Sequence, residues 1–251
     1  MYDCKNKFFL MISLIRNLKR NVYKLIPNKF KSIYKSFLNY KILSLNYGQY
    51  NSIDKWACID VEGKPIPWYT YPAIEFINQI DLKNKSIFEF GSGNSTRFWE
   101  SRCSRLISVE HDKKWFYKVK KDLPSQVDYN LIENNYHQFI NNFDEKFDVI
   151  IIDGENRFEC ALESIKKLNE DGFIILDNSD WYQETSKLLR DNDLIEIDFS
   201  GFGPINEYTW TTSFYLKRNI KFKPAYNRQP NYSIGSLKHS ENIDNTKKHK
   251  L

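Results

Sequence analysis

Five short apolar runs alternate with segments of helical periodicity along the middle of the chain. The runs are "SIFEF" (86–90), "RLISVE" (105–110), "DYNLIE" (128–133), "FDVIIID" (147–153) and "GFIILD" (172–177). Continuously apolar strands are typical of a sheet that is covered on both faces, and their alternation with helices predicts parallel strands joined by right-handed crossovers. Two further runs, over 193–202 and 211–218, are separated by a short loop and predict a hairpin that places one antiparallel strand in the sheet. The fold class predicted is therefore α/β, with a Rossmann-like, doubly wound, mostly parallel seven-stranded sheet.

Charge and periodicity divide the chain into three parts. Residues 1–47 contain ten Lys and Arg and one acid, a net +9, so the remaining residues sum to −4 in a chain of net charge +5. Apolar residues at helical spacing predict an amphipathic helix in this basic segment: Met11, Ile15, Leu18, Val22 and Leu25. A second basic helix is predicted over Lys29–Leu43. We therefore expect a basic helical extension over 1–47, a folded domain over 48–222, and a polar, lysine-rich, disordered tail over 223–251.

The same charge distribution limits the partners. A mildly acidic body argues against a nucleic-acid groove on the domain. The basic extension either contacts an anionic membrane surface peripherally or packs on the domain or on another copy of the chain. No apolar run approaches the roughly 20 residues that cross a bilayer. "FFLMISLI" (8–15) is followed by no small-residue cleavage site, and the four cysteines form no C-x-x-C pair, so we expect a cytoplasmic protein with reduced thiols.

The stretch "IFEFGSGNST" (87–96) places a glycine-rich turn directly after the first strand. A phosphate-binding P-loop needs Lys followed by Ser or Thr after its last glycine, and this chain has Asn94-Ser95-Thr96 there. The dinucleotide pattern G-x-G-x-x-G/A fits Gly91 and Gly93 but has Thr96 in the third position. Nucleoside triphosphates, NAD and FAD are therefore disfavoured ligands.

Two acids next to this turn favour another ligand. Glu89, two residues before the first glycine, would repel a pyrophosphate but suits a cationic amine. Glu110 ends the next strand, where an acid accepts hydrogen bonds from ribose hydroxyls. A ligand with a ribose, a positively charged amino-acid end and no phosphate is S-adenosylmethionine.

These segments resemble the class I S-adenosylmethionine-dependent methyltransferases over about residues 60–218. "FEFGSGNST" looks like their first motif, "ISVEHD" their second, and "PIPWYTYP" with "GFGPINEYTWTTSFYLKR" resembles a bacterial and viral subgroup associated with glycan modification. The resemblance implies cofactor contacts along the glycine loop, at the ends of the second and third strands, at the end of the fourth strand and in the segment before the first domain helix. The residues concerned are Glu89, Gly91, Gly93, Asn94, Ser95, Thr96, Glu110, Glu133 or its neighbour Asn134, Asp153, Tyr69 and Thr70.

Asp153 ends the fourth strand, and Asp177-Asn178 end the fifth, so all three reach the same sheet edge. Two carboxylates and an amide oxygen converging there suit Mg²⁺ or another divalent cation. This resembles the metal-dependent catechol- and caffeoyl-type O-methyltransferases, which implies catalytic and metal-binding roles for Asp153, Asp177 and Asn178. The lysine base of that pattern is replaced by Asn156, followed by Arg157, and Asp180 is the substitute base that we consider. The alternative is that Asp153 only contacts ligand while Asp177 and Asn178 fix the loop.

The function predicted is methyl transfer from S-adenosylmethionine to a hydroxyl of a small polar acceptor, a sugar or glycan. A non-catalytic cofactor-binding or interaction module is the first alternative, and methylation of RNA or protein is the second. Trp99, Trp115 and Phe116 are predicted to belong to the core.

Overall fold

A computed structural model describes residues 26–125 and 127–238 of the chain. The chain divides into two compact units, residues 1–43 and 44–251. Within the first unit, helix α1 (Asn28–Lys41) has no buried residue and carries exposed aromatic and aliphatic side chains. The first helix predicted, over 11–25, lies outside the described residues. Across the part of the chain that is described, no helix is both long and apolar enough to cross a bilayer.

The second unit contains a seven-stranded sheet. Its strands are β1 (Ser86–Phe90), β2 (Arg105–Glu110), β3 (Asp128–Leu131), β4 (Phe147–Ile152), β5 (Leu168–Leu176), β6 (Ile195–Gly201) and β7 (Trp210–Leu216). The order is β3-β2-β1-β4-β5-β7-β6. Strands β1 to β5 pair in parallel, and β7 pairs antiparallel with both β5 and β6. The predicted Rossmann-like sheet with one antiparallel strand is confirmed.

Helices cover the sheet on both faces. They are α2 (Gln49–Lys55), α3 (Tyr71–Ile77), α4 (Asn94–Glu100), α5 (Lys113–Lys120), α6 (Arg157–Lys167) and α7 (Gln183–Asp191), with a 3₁₀-helix over Tyr136–Asn142. Because β4 lies between two helical layers, Val149, Ile150, Ile151 and Ile152 are all fully buried. This explains why the strands are continuously apolar rather than alternating.

The strand order reverses between β1 and β4. From β1 the chain adds β2 and β3 on one side of the sheet, and from β4 it adds β5 on the other side. Phe90 of β1 lies opposite Ile152 of β4, so the loops that follow these two strands begin side by side. In open α/β sheets, ligands bind in the crevice outside the carboxyl ends of the strands at such a point. The fold therefore positions the residues after β1 and β4 at the expected ligand site.

The structure differs from the predicted boundaries at the two ends of the domain. The boundary between the units falls after Leu43, so residues 44–47 belong to the second unit. The tail was expected to be disordered, yet its described part is held to the domain. Ala225 N donates to the Gln79 carbonyl, and Asn231 N donates to the Gln79 side chain. Polar composition did not reveal this because the partners lie about 150 residues away in sequence.

Candidate active site

A cavity of about 820 Å³ opens at the carboxyl edge of the sheet. The loops after β1, β2, β4 and β5 supply its floor, and residues from 55–58, Trp68 and the β6–β7 connection supply the opposite wall. Eight of the residues predicted for the site line it: Gly91, Gly93, Asn94, Ser95, Glu110, Asp153, Asp177 and Asn178. The topology thus joins six of the predicted cofactor residues and the three predicted catalytic residues, Asp153 being in both sets, in a single cavity.

The first turn of this cavity requires glycine. Gly91 has a φ of 88°, a left-handed conformation that side-chain-bearing residues rarely adopt. A Cβ atom at Gly91 would lie 2.6 Å from the Asp153 carbonyl oxygen, and one at Gly154 would lie 2.7 Å from the Tyr136 hydroxyl. The loops after β1 and β4 therefore approach each other at a distance that only glycine permits.

Glu89 lies beneath this turn and is fully buried. Its Oε2 accepts hydrogen bonds from the Thr96 and Ser108 hydroxyls, both at 2.7 Å, while its Oε1 has no partner among the described residues. Burial raises the pKa of Glu89 to about 7, against the opposing effect of the hydroxyl groups around it. Glu89 and Thr96 do not themselves line the cavity. A buried carboxylate with one unpaired oxygen is a group that a cation nearby would stabilise.

Glu110 is buried at the end of β2 and lines the cavity. Its Oε1 accepts from the backbone N–H groups of His111 and Asp112, both at 2.9 Å. Its Oε2 accepts from the Ser92 amide at 3.1 Å and the Ser92 hydroxyl at 2.7 Å. Glu110 therefore fixes the glycine loop to the end of β2 as well as facing the cavity.

The core position predicted for Trp115 is wrong. Trp99 and Phe116 are buried as expected, but Trp115 is about one third exposed and lines the cavity. Its indole Nε1 donates to the Ser92 carbonyl at 2.7 Å. Trp115 and Phe116 are consecutive on α5, so both cannot point at the core, and periodicity could have assigned one of them to the site.

Asp153 and Asp177 differ in their access to the cavity. The Asp153 side chain is 21% exposed, and its Oδ1 accepts from Arg157 Nη2 at 3.2 Å. Asp177 is 3% exposed, and its Oδ1 is occupied by the Thr212 hydroxyl at 2.6 Å and the Trp210 indole at 3.0 Å. Burial raises the pKa of both carboxyls, that of Asp153 to about 6 against the opposing charge of Arg157. Asp153 is therefore the more available of the two.

An arginine side chain is hydrogen-bonded to all three of the predicted metal ligands, Asp153, Asp177 and Asn178. Arg157 lies between them: its Nη1 donates to the Asn178 Oδ1 at 3.2 Å and to the Asp177 carbonyl, and its Nε donates to the Gly154 carbonyl at 2.9 Å. Within the described ranges, no group of three or more His, Cys, Asp or Glu could hold a metal ion. The sequence pattern missed this because it counted oxygen ligands and did not place Arg157 among them.

Several predicted residues lie outside the cavity lining. Glu133 is exposed and pairs with Lys113 at 3.9 Å. Thr70 is fully buried and fixes the chain at the start of α3, donating to the Phe199 carbonyl at 2.7 Å. Tyr69 is also fully buried, whereas its neighbour Trp68 lines the cavity. Asp180, considered as a base, accepts from the Thr211 amide and does not line the cavity. Their roles in ligand binding stay predictions.

Exposed aromatic rings line the cavity, and motif reasoning missed them. Trp56 and Trp68 meet edge to face with ring centroids 6.4 Å apart, and Trp181 and Tyr208 lie 6.4 Å apart from a different pair of loops. Trp56 is 69% exposed and Trp181 is 60% exposed. Large apolar rings concentrated at a cavity mouth mark a binding surface.

No protein-family model matches the sequence, and no curated protein matches it. Solved structures similar to this chain include a precorrin-6y C5,15-methyltransferase from Geobacter metallireducens, at 14% identity and a TM-score of 0.48, covering 58% of this chain and 87% of that one. A precorrin 8w decarboxylase from Methanobacterium thermoautotrophicum has 15% identity and a TM-score of 0.43, covering 60% and 92%. The N-methyltransferase NodS from Bradyrhizobium japonicum, in complex with S-adenosyl-L-homocysteine, has 13% identity and a TM-score of 0.43, covering 54% and 79%. Likeness at this level assigns neither a family nor an activity, so the function has to be inferred from the site.

Proposed function

We propose that this protein is a methyltransferase that moves a methyl group from S-adenosylmethionine to a hydroxyl of a sugar or glycan. One observation carries the proposal. A single cavity is lined by the glycine loop, which is flanked by two buried acids, by exposed aromatic rings, and by Asp153, which follows β4, the strand between β1 and β5. The glycine loop suits the cofactor, the aromatic rings suit an acceptor, and Asp153 supplies a carboxylate in the same cavity.

The cofactor half fits S-adenosylmethionine by its chemistry. The unpaired Oε1 of Glu89 supplies negative charge beneath the loop for a ligand with an ammonium group. Gly91 lets the loop after β1 pass close to the loop after β4, and Glu110 offers carboxylate oxygens to hydroxyl groups. When bound, S-adenosylmethionine supplies a methyl group that is already activated by the adjoining sulfonium. The protein then has to align the acceptor and remove its proton.

Asp153 is the residue that we assign to proton removal. Its side chain is open to the cavity, and no hydrogen bond to its Oδ2 is found among the described residues. Asp177 is less suited because Trp210 and Thr212 hold its Oδ1. Asp153 would accept the proton that the acceptor hydroxyl loses as its oxygen becomes a nucleophile. This gives the catalytic role predicted for Asp153 a geometric basis, while Asp177 and Asn178 support the loop.

The aromatic wall favours a sugar acceptor. A sugar ring has an apolar face of C–H groups and a rim of hydroxyls, so it is matched by indole faces with a few polar groups between them. The pairs Trp56–Trp68 and Trp181–Tyr208 provide such faces from independent loops. Gln49 holds the two walls together, since its Nε2 donates to the Gly203 carbonyl at 3.0 Å and to the Asn206 carbonyl at 3.2 Å.

Helix α1 supports a second part of the proposal, a peripheral contact with anionic membranes. Its sequence "NKFKSIYKSFLNYK" contains four lysines and no acid. Phe30, Ile33, Tyr34 and Phe37 recur at spacings of three and four and are all more than half exposed. An apolar stripe flanked by lysines is suited to lie in the plane of a negatively charged membrane surface. Such a location would place the enzyme near lipid-linked glycans.

The test of the activity is methyl transfer from labelled S-adenosylmethionine to nucleotide sugars and extracted glycans. Asp153→Asn should lower kcat by about 100-fold or more, because a positioned general base contributes about 10² to 10⁴. Asp144→Asn removes an exposed carboxylate outside the cavity and is the matched control. Label transfer to RNA or protein, with none to sugars, would contradict the acceptor class. Full activity of Asp153→Asn would contradict the assigned base.

A further inference from the structure

The strongest unexplained feature of the site is a buried positive charge in the position predicted for a metal ion. The Arg157 side chain is 10% exposed. Its guanidinium donates to four oxygens contributed by the loops after β4 and β5, those of Gly154, Asp153, Asp177 and Asn178. The Tyr182 ring covers it, with the guanidinium carbon 4.5 Å from the ring centroid.

The local chain structure fixes Arg157 in this position. Asn156 precedes α6 in a left-handed conformation with a φ of 49°, and Arg157 is the first residue of the helix. The side chain therefore starts at the carboxyl edge of the sheet, beside the loop of its own strand. Four of its five N–H groups are used in the contacts described, so the guanidinium has one fixed orientation.

A divalent cation and this guanidinium exclude each other. A divalent ion bound to these ligands would lie next to the guanidinium that already contacts them, and the repulsion between like charges is strong in a site that is largely closed to water. The oxygens that would have to coordinate such an ion already accept hydrogen bonds. Asp153 Oδ1 and Asn178 Oδ1 accept from Arg157, and Asp177 Oδ1 accepts from Trp210 and Thr212.

We propose that the Arg157 guanidinium is the built-in cation of this site, which replaces a divalent metal and holds Asp153 in position for the acceptor. The catalytic part of this inference rests on the proposed methyl transfer. The part that excludes a divalent metal rests on the geometry alone. Arg157 binds Asp153 through Oδ1 and leaves Oδ2 of this cavity-lining residue without a hydrogen bond from the described residues. Arg157 is thus a positioning residue that acts through Asp153.

The first test needs no activity. The full-length protein is titrated with Mn²⁺, and free Mn²⁺ is followed by electron paramagnetic resonance. We expect no stoichiometric Mn²⁺ binding. One tightly bound Mn²⁺ per chain that is lost in Asp153→Asn would overturn the proposal.

The second test uses initial rates with labelled S-adenosylmethionine. We expect kcat to stay within about twofold after exhaustive chelation, whereas a metal-dependent step would lose it entirely. Arg157→Gln should lower kcat by about 100-fold, the cost of misplacing a catalytic group by about 1 Å, with the KM for S-adenosylmethionine little changed. Arg157→Lys keeps the charge and should recover about tenfold of that loss, which a purely structural role would not predict.

The outcomes separate this proposal from the proposed function. Activity that disappears in the chelator and returns with Mg²⁺ or Mn²⁺ overturns the built-in cation, as does a wild-type kcat in Arg157→Gln. If Arg157→Gln fails to fold, the chelation and Mn²⁺ results on the wild-type protein still decide. If no acceptor is methylated at all, the proposed function fails, and the Mn²⁺ titration alone decides whether Arg157 excludes a metal.

Discussion

Replacing Glu89 by Gln tests whether the carboxyl group buried beneath the glycine loop has a raised pKa in the folded protein. The carboxyl of Glu89 has its pKa raised from 4.5 to about 7 by burial. A raised pKa means that the folded protein binds this proton more tightly than the unfolded chain does. The stabilisation is therefore fully present below about pH 4.5 and is lost as the pH rises through about 7. The shift corresponds to about 3 kcal/mol lost by about pH 8.

Gln cannot ionise, so Glu89→Gln should remove this pH dependence. The amide also places a donor where Oε1 has no partner, which costs about 1–3 kcal/mol at every pH. That cost cancels when the variant and the wild type are compared at two pH values. Going from about pH 5 to about pH 8, the free energy of unfolding of the wild type should fall by about 2–3 kcal/mol relative to the variant.

The assay is urea unfolding at the two pH values, followed by tryptophan fluorescence, with m values checked for agreement. Glu110→Gln is the matched control. Its carboxylate accepts four hydrogen bonds, so Glu110→Gln should be about 2 kcal/mol less stable than the wild type at about pH 8. Glu89→Gln should differ little from the wild type at that pH, because the cost of its amide is offset by the roughly 3 kcal/mol that the wild type has lost there. The free energy of unfolding of the wild type relative to Glu89→Gln could instead change by less than about 1 kcal/mol between the two pH values. That result would show that burial does not raise the pKa of Glu89 to about 7.

Three further predictions address the loop, the acceptor wall and the extension. Gly91→Ala should destabilise the protein by about 2–4 kcal/mol in urea unfolding, because strain at positive φ adds to the collision with the Asp153 carbonyl. Gly63→Ala, with a φ of +80° and open space around it, should cost only about 1 kcal/mol, and equal losses would refute the close approach of the two loops. Trp181→Ala should raise the KM for the acceptor by about tenfold with kcat retained, because one stacked ring contributes about 1 kcal/mol or more to binding. An unchanged KM in initial-rate assays would show that Trp181 does not contact the acceptor. The full-length protein should sediment with anionic vesicles at low salt and less so at high salt, and Phe37→Glu should weaken this binding. Failure of the wild type to bind at low salt would contradict the membrane proposal.

The parallel direction of the central strands and the layer arrangement could be inferred from sequence because the middle of the chain alternates apolar runs with helical segments. Val149 to Ile152 indicate a strand covered on both faces, and only a parallel sheet with helices on each side produces this. The positions of Gly91, Asp153 and Asp177 at one edge followed from the rule that parallel strands end together. These are consequences of chain direction and do not depend on side-chain detail.

The parts that sequence could not supply depend on contacts between distant segments. Arg157 was visible only as the residue after Asn156, and nothing local indicates that its guanidinium turns back to the ends of two strands. Trp56 and Tyr208 face the same cavity although they are more than 150 residues apart in sequence. Glu133 failed to reach the cavity because β3 ends at Leu131, two residues earlier than its apolar pattern predicts. Such arrangements are set by packing, which a motif does not encode.

The central claim, that the glycine-loop cavity binds S-adenosylmethionine, is tested most directly by the thermal stability of the full-length protein with S-adenosylhomocysteine. At about 100 times the Kd, a ligand that binds only the folded state adds about 2.7 kcal/mol, which raises the Tm of a domain of this size by about 5–10 °C. We predict this shift with S-adenosylhomocysteine, a smaller shift in Glu110→Ala, and none with NAD. Equal or greater stabilisation by NAD would contradict the assignment of the site.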